Sequence, residues 1–262
     1  MEHLHHAGGL PALMRELTAF LDLDTPNISG GTLGDAIAAA EFVPHQDVIR
    51  SFASPLKPEG AMAILHGNLA PLSAVIKHSA ASPHLMRHTG RAVVFDSIED
   101  LTNRIDDSNL DVTADDILVL RNAGPKGAPG MPEAGYLPIP MKLARQGVKD
   151  MVRISDARMS GTGFGTIVLH IAPEAAVGGP LAIVQNGDQI LLDVEARRLE
   201  LLIDDSELQQ RLAALKNSPP QRETPRRGYA KLFEDCVLQA DQGCDFDFLL
   251  RDGRPTVPKK GE

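Results

Sequence analysis

Five short apolar runs constrain this chain most: AMAIL (61–65), SAVIK (73–77), RAVVF (91–95), DILVL (116–120) and DMVRIS (150–155). Each is too short for a typical helix. Most are nearly continuous apolar runs, as expected of strands covered on both faces. Helical spacing falls between them, at IEDLTNRI (98–105) and PMKLARQG (140–147), and the mixture reads as α/β. Nineteen prolines and 23 glycines spread along 262 residues fit many short elements joined by tight turns and do not fit a long bundle.

The two ends of the chain read differently. Leu10, Leu13, Met14, Leu17, Phe20 and Leu21 form one apolar helical stripe, and TLGDAIAAAEF (32–42) predicts a second helix. PLAIVQNGDQILLDVEARRLELLI (180–203) predicts a strand, an Asn-Gly turn and two further strands, an antiparallel meander that curls the sheet towards a barrel. Ser206 with Gln209 is a capping-box pattern opening the helix ELQQRLAALK, after which NSPPQRETPRRG reads as a polar loop.

A formal charge of −9 disfavours a nucleic-acid partner, which needs clustered Lys and Arg to neutralise phosphates. No apolar window is long enough to span a membrane, and MEHLHHAGG lacks the build of a secretory signal, so a cytoplasmic protein is expected. Cys236 and Cys244 match neither a zinc nor a redox spacing and read as two reduced thiols. His3, His5 and His6 are not expected to form a metal site, because the sequence around them does not supply a full coordination shell. His170, inside TIVLH, reads as a hydrogen-bonded core histidine. Asp106, Asp107, Asp111, Asp115 and Asp116 lack calcium-loop spacing and read as a solvated turn with helix caps.

Three glycine-rich stretches remain: GPKGAPGMPE (124–133), SGTGFGT (160–166) and PEAAVGGP (173–180). None is spelled as a phosphate loop, and Arg158 stands where a hydrolase elbow around Ser160 would need glycine. Two of them follow predicted strands, where α/β domains place ligands, and sparse side chains let a small polar substrate or ion approach the backbone. Read singly, each is a tight turn; together they carry Glu133 and Ser160 into one class of loop.

GPKGAPGMPE, DARMSGTGFGTIVLHIAPEAAVGGPLA and RGYAKLFEDCVLQAD, in this order, resemble the C-terminal part of the dihydroxy-acid and sugar-acid dehydratases, from AGGLPAL near the start to DFDFL near the end. MVRISDARMSGT followed by LHIAPEAA is more similar to the pentonate (arabinonate or xylonate) branch. The resemblance implies a swivelling β/β/α domain: a mixed, partly closed β-barrel flanked by helices. It implies a hydro-lyase that dehydrates a sugar acid or 2,3-dihydroxy acid to the 2-keto acid. An iron–sulfur cluster would act on the leaving 3-hydroxyl and Mg2+ would bind the carboxylate end. By the same resemblance Ser160 is the base for the C2 proton, Glu133 a Mg2+ ligand, and Gly161 and Thr162 substrate contacts. A serine hydroxyl serves as a base only where neighbouring cations stabilise its alkoxide.

The family's cluster cysteines and remaining Mg2+ ligands belong to an N-terminal domain that this sequence does not contain, so a separate N-terminal dehydratase chain is one expected partner. Residues 1–48 are expected to be a helical remnant of that domain, with exposed apolar side chains, and 49–262 the barrel domain. The complete enzyme is expected to be a homo-oligomer. A phosphorylated substrate is disfavoured because no Arg or Lys cluster flanks the motif loops. The rival reading is a non-catalytic interaction or acid-binding module that keeps the barrel without the chemistry.

Overall fold

The computed structural model describes residues 1–28, 30–40, 43–130, 137–158, 164–217 and 225–250. The chain divides into two compact units, Met1–Gly60 and Ala61–Glu262.

The first unit is helical: α1 (Glu2–His6), α2 (Gly9–Glu16) and α3 (Leu33–Ala39), with a 3-10 turn at Thr18–Phe20. Thr32 caps α3 in a capping box with Asp35, which is why this helix starts where it does. Helix α2 buries none of its residues, and Leu10, Phe20, Phe52 and Leu56 are exposed.

The second unit is built on β1 (Ala63–Leu65), β2 (Ser73–Ile76), β3 (Arg87–Phe95), β4 (Ile117–Leu120), β5 (Arg153–Ser155), β6 (Ile167–Ala172), β7 (Gln189–Asp193) and β8 (Arg198–Leu201). Among the described residues these form one sheet in the order β1-β2-β6-β5-β4-β3-β7-β8. The centre, β3 to β6, is parallel, and both flanks are antiparallel. Helices α4 (Ile98–Arg104) and α5 (Met141–Arg145) lie in the crossovers, and α6 (Asp205–Asn217) and α7 (Gly228–Cys236) follow the sheet.

The sheet closes on itself. Past β1, His66 donates its amide to Arg197 O (2.9 Å) and accepts from Leu199 N (2.8 Å), bringing the first strand against the last. The Asn68 side chain extends this seam as a substitute peptide, accepting from Leu201 N (2.6 Å) and donating to Leu201 O (2.8 Å). Gly67, with φ 153°, allows the approach, because a Cβ there would overlap the Leu199 carbonyl.

Closure gives the central strands two buried faces, and alternate residues divide between them. Ala92, Val94, Ile117, Val119, Ile154 and Val168 fill the barrel interior together with Leu65, Ile76, Leu192 and Leu199. Val93, Phe95, Leu118, Leu120, Ile167 and Leu169 pack outward against Leu101 and Ile105 around α4 and Leu143 of α5. This division is the physical reason for unbroken apolar runs. No described helix is long and apolar enough to cross a membrane.

Two expectations change. PLAIV is not a strand: Pro180–Ile183 is a 3-10 turn, since Pro180 lacks an amide for a ladder and Gly179 is pressed against the Pro173 carbonyl where no Cβ fits. Helix α6 begins at Asp205, which puts Ser206 inside its first turn.

Candidate active site

The C-terminal ends of the parallel strands β4 and β5, and the turn after β6, meet at one end of the barrel. Ser160, Gly161 and Thr162 fall in 159–163, and Glu133 in 131–136; all four lie outside the described residues. The residues that bound these segments are described, and they form a dense polar frame.

Asp156 opens the serine-bearing loop and is 1% exposed. Its carboxylate accepts three backbone N–H groups, from Asn122 (3.2 Å), Ala123 (2.9 Å) and Ala175 (2.9 Å). It thereby ties the loop after β4 to the turn after β6. Burial pushes its pKa up to about 6, helped by the neighbouring Glu174 charge, and the N–H bonds only partly offset this. Glu174, also 1% exposed, accepts from Lys126 N (2.9 and 3.0 Å) and Gly127 N (2.8 Å), and from Gln239 Nε2 (2.7 Å). Gln239 in turn accepts from Glu174 N (2.9 Å), so the segment after α7 is fastened to the same loop. Gly124 leaves room for this packing, because a Cβ would stand 2.6 Å from Glu174 Oε2.

The far side of the serine loop is held by a buried ion pair. Asp150 accepts from Thr166 N (2.9 and 3.0 Å), Thr166 Oγ1 (2.7 Å) and Ser82 N (3.2 Å), and pairs with Arg153 Nη2 at 2.8 Å. Burial pushes the Asp150 pKa up, but the Thr166 and Ser82 bonds and the Arg153 charge outweigh it and hold the carboxyl below its usual range.

His170 is not in the core. It sits at a strand irregularity with φ 54°, is only partly buried, and donates its backbone N–H to Ala157 O at 3.0 Å. Burial and the Arg158 charge both lower its pKa. Arg158, two residues before Ser160, is exposed. Of the aspartates, Asp116 is buried in an ion pair with Arg91 (2.9 Å), and Asp106 accepts from Met141 N (2.8 Å) at the start of α5.

Sequence reading alone did not single out Asp156, Glu174, Asp150 or Arg153. Arg153 carried a signal: a cation inside an otherwise buried run has to be paired, so an acidic partner close by was to be sought.

A closed α/β barrel with glycine-rich loops braced at one end by buried carboxylates has the build of a ligand-handling domain with its site at the strand ends. Residues 47–244 match the dihydroxy-acid/6-phosphogluconate dehydratase C-terminal family, and the chain belongs to that family. It is 54% identical over 250 residues to a dehydratase of Rhizobium meliloti (strain 1021), covering 95% of this chain and 43% of the relative. It is 50% identical over 264 residues to the L-arabonate dehydratase of Azospirillum brasilense, 98% of this chain and 45% of the relative. To the 6-deoxy-6-sulfo-D-gluconate dehydratase of Pseudomonas putida it is 52% identical over 252 residues, 95% of this chain and 43% of the relative. The chain thus spans less than half the length of these relatives.

Dehydratases of this family generally use Mg2+ and an iron–sulfur cluster. The described residues do not fit a cluster. No group of three or more His, Cys, Asp or Glu among them is placed to hold a metal ion. Burial pushes Cys244 up to about 11, and burial with nearby aspartates raises Cys236, so neither thiol favours the thiolate that iron requires. Asp156 and Glu174 are committed to backbone N–H groups.

Proposed function

We propose that this chain is the base-bearing C-terminal portion of a sugar-acid dehydratase. The reading is supported above all by the described residues that flank 159–163 in sequence, Asp156 before it and Thr166, held by Asp150, after it, which are fixed by buried hydrogen bonds. The relatives' names support a sugar acid as substrate.

In this reading Ser160 removes the C2 proton of a bound aldonic or 2,3-dihydroxy acid, the 3-hydroxyl leaves as water, and the resulting enol becomes the 2-keto-3-deoxy acid. Gly161 and Thr162 contact the substrate, and Glu133 supplies a carboxylate to Mg2+, an ion that takes few protein carboxylates and keeps oxygens from water and substrate. Within the chain, Arg158 adds positive potential two residues from Ser160. Cluster ligands and most Mg2+ ligands come from residues outside this sequence, on a separate N-terminal chain or domain, and 1–48 belongs with that part.

The test is dehydration of a panel of aldonic and dihydroxy acids, anaerobically with iron, sulfide and Mg2+, by the chain alone and mixed with a cysteine-bearing N-terminal dehydratase domain. Activity in the mixture that disappears with Ser160→Ala is the expected result. Inactivity of both, with no association between the two proteins, would replace the proposal by a non-catalytic acid-binding module.

A further inference from the structure

Strand β3 outlasts its antiparallel partner. Its ladder with β7 ends at the pair Arg91 and Gln189, whereas β3 runs on to Phe95. The turn before β7 and a side chain of α4 finish the uncovered edge: Gly187 N donates to Ala92 O (3.0 Å), Asn186 Oδ1 accepts from Val94 N (2.7 Å), and Arg104 Nη1 donates to Val94 O (3.2 Å). Side chains fill an edge less completely than a strand does, and a cavity of about 220 Å3 remains, lined by Arg91, Arg104, Asp111, Asn186 and neighbouring apolar residues. Sites for drug-sized molecules run to about 300–1,000 Å3, so this one admits a small ion or acid and not a nucleotide.

Arg104 is fixed by one nitrogen only. Nη1 makes both of its hydrogen bonds, to Asp100 Oδ2 (2.6 Å) and to Val94 O, and the guanidinium carbon lies 5.0 Å from the centre of the Phe95 ring. No described residue accepts from Nε or Nη2. That edge is a planar fork of two donors, the arrangement that grips a carboxylate or phosphate group through two parallel bonds. Asn186 likewise spends Oδ1 on Val94, and its Nδ2 has no acceptor among the described residues. Arg91 differs, because Asp116 takes Nε (3.1 Å) and Nη2 (2.9 Å) and Asp111 takes Nη1 (2.6 Å). Asp111, the acidic side chain of the lining, is thus set against Arg91, and the unspent donors are those of Arg104 and Asn186.

We propose that this cavity binds a small oxyanion, whose carboxylate or phosphate group is taken by the Nε and Nη2 edge of Arg104 together with Asn186 Nδ2. A ligand held there joins β3, α4 and the Asn-Gly turn, so that binding shows as added stability. The site stands apart from the dehydratase reading, since none of its lining residues belongs to the three glycine-rich stretches. Two substitutions carry opposite signs. Arg104→Gln removes the fork and weakens binding. Asp111→Asn removes the negative charge of the lining, at a side chain that is 81% exposed, and strengthens binding by removing repulsion.

The experiment is thermal unfolding of the full chain, followed by circular dichroism, in sodium phosphate, sodium gluconate and sodium chloride at matched ionic strength. For a dissociation constant of about 10 mM, roughly 50 mM of the bound anion should raise the wild-type midpoint by about 2–4 °C over chloride. The rise should vanish in Arg104→Gln, grow in Asp111→Asn, and persist in Ser160→Ala, which separates it from acid bound at the proposed catalytic serine. A rise with phosphate alone assigns a phosphate group, one with gluconate alone a carboxylate, and one with both the chemistry they share. No rise over chloride with either anion would overturn the proposal. So would an equal rise in wild type and Arg104→Gln, which is the general effect of an anion excluded from protein surfaces. An Asp111→Asn rise no larger than that of wild type, or a rise abolished by Ser160→Ala, would overturn it as well. Asp111 is exposed, so its substitution decides the matter even where Arg104→Gln does not fold.

Discussion

Asp156 gives the barrel an unusual pH dependence. Its carboxyl titrates near 6 in the fold and at an ordinary 3.8 when unfolded. Below 3.8 both states hold the proton and the group contributes nothing. Between the two values the native state keeps a proton that the unfolded chain has released, so stability falls as pH rises, and above 6 the full cost is present. A shift of roughly two units corresponds to about 3 kcal/mol, of which about 2 kcal/mol fall between pH 4.5 and 7.5. Asp116 and Asp150, held below their usual range, lose their contribution only at lower pH. The lowered His170 acts in the opposite direction below 6.5, but equally in wild type and variant. The measurement is urea unfolding followed by circular dichroism, chosen because the chain has no Trp and two Tyr, across that pH range for wild type and Asp156→Asn. Asparagine turns an amide donor towards three backbone donors, a cost that does not vary with pH. Wild type should therefore lose about 2 kcal/mol relative to the variant between pH 4.5 and 7.5. Parallel pH profiles, or a wild type that gains, would show that the three N–H bonds outweigh burial and would refute the reasoning.

Gly67→Ala tests barrel closure: a Cβ in the Leu199 carbonyl at a positive φ should cost about 3 kcal/mol or more, lowering the midpoint of thermal unfolding by roughly 6–12 °C. An unchanged midpoint would mean that the seam between His66 and Arg198 does not hold the barrel. Gln239→Ala removes the Nε2 bond to Glu174 and should cost about 1.5–3 kcal/mol, as for a hydrogen bond to a charged group, with faster exchange in 237–249. If exchange there does not change, the segment after α7 is held by something other than this contact.

The parallel strands were legible because burial on both faces writes itself as consecutive apolar residues, as in Val93 and Val94 or Leu118 and Val119. PLAIV misled for the same reason: an apolar run says that a segment is buried and says nothing of its backbone, which Pro180 and the crowded Gly179 settled. Barrel closure was only partly legible. The meander suggested curling, but the seam depends on an asparagine amide standing in for a peptide and on one glycine, and neither leaves a periodic trace. The glycine stretches drew attention through their chemistry, and their described parts lie beside the buried carboxylates Asp156 and Glu174. The carboxylates and the arginine around them make contacts across 11 to 65 residues of chain, distances at which sequence alone carries no pairing information.

That division changes how the motif residues are weighed. Asp156 and Glu174 stand inside the stretches that carry the family resemblance, yet both spend their carboxylate oxygens on holding backbone, and Gly124 and Gly179 serve the same packing. Any protein that kept these loops in place would need them, whether it dehydrated an acid or only bound one. A buried carboxylate that costs stability at neutral pH is retained more readily where loop placement is itself under selection, but this argues for a site and not for its chemistry. Ser160 and Glu133 are different, because both lie outside the described residues and their roles come from the family resemblance alone. The choice between enzyme and binding module therefore turns on those two side chains. Ser160→Ala decides it, whereas substituting Asp156 or Glu174 would lower activity and binding alike.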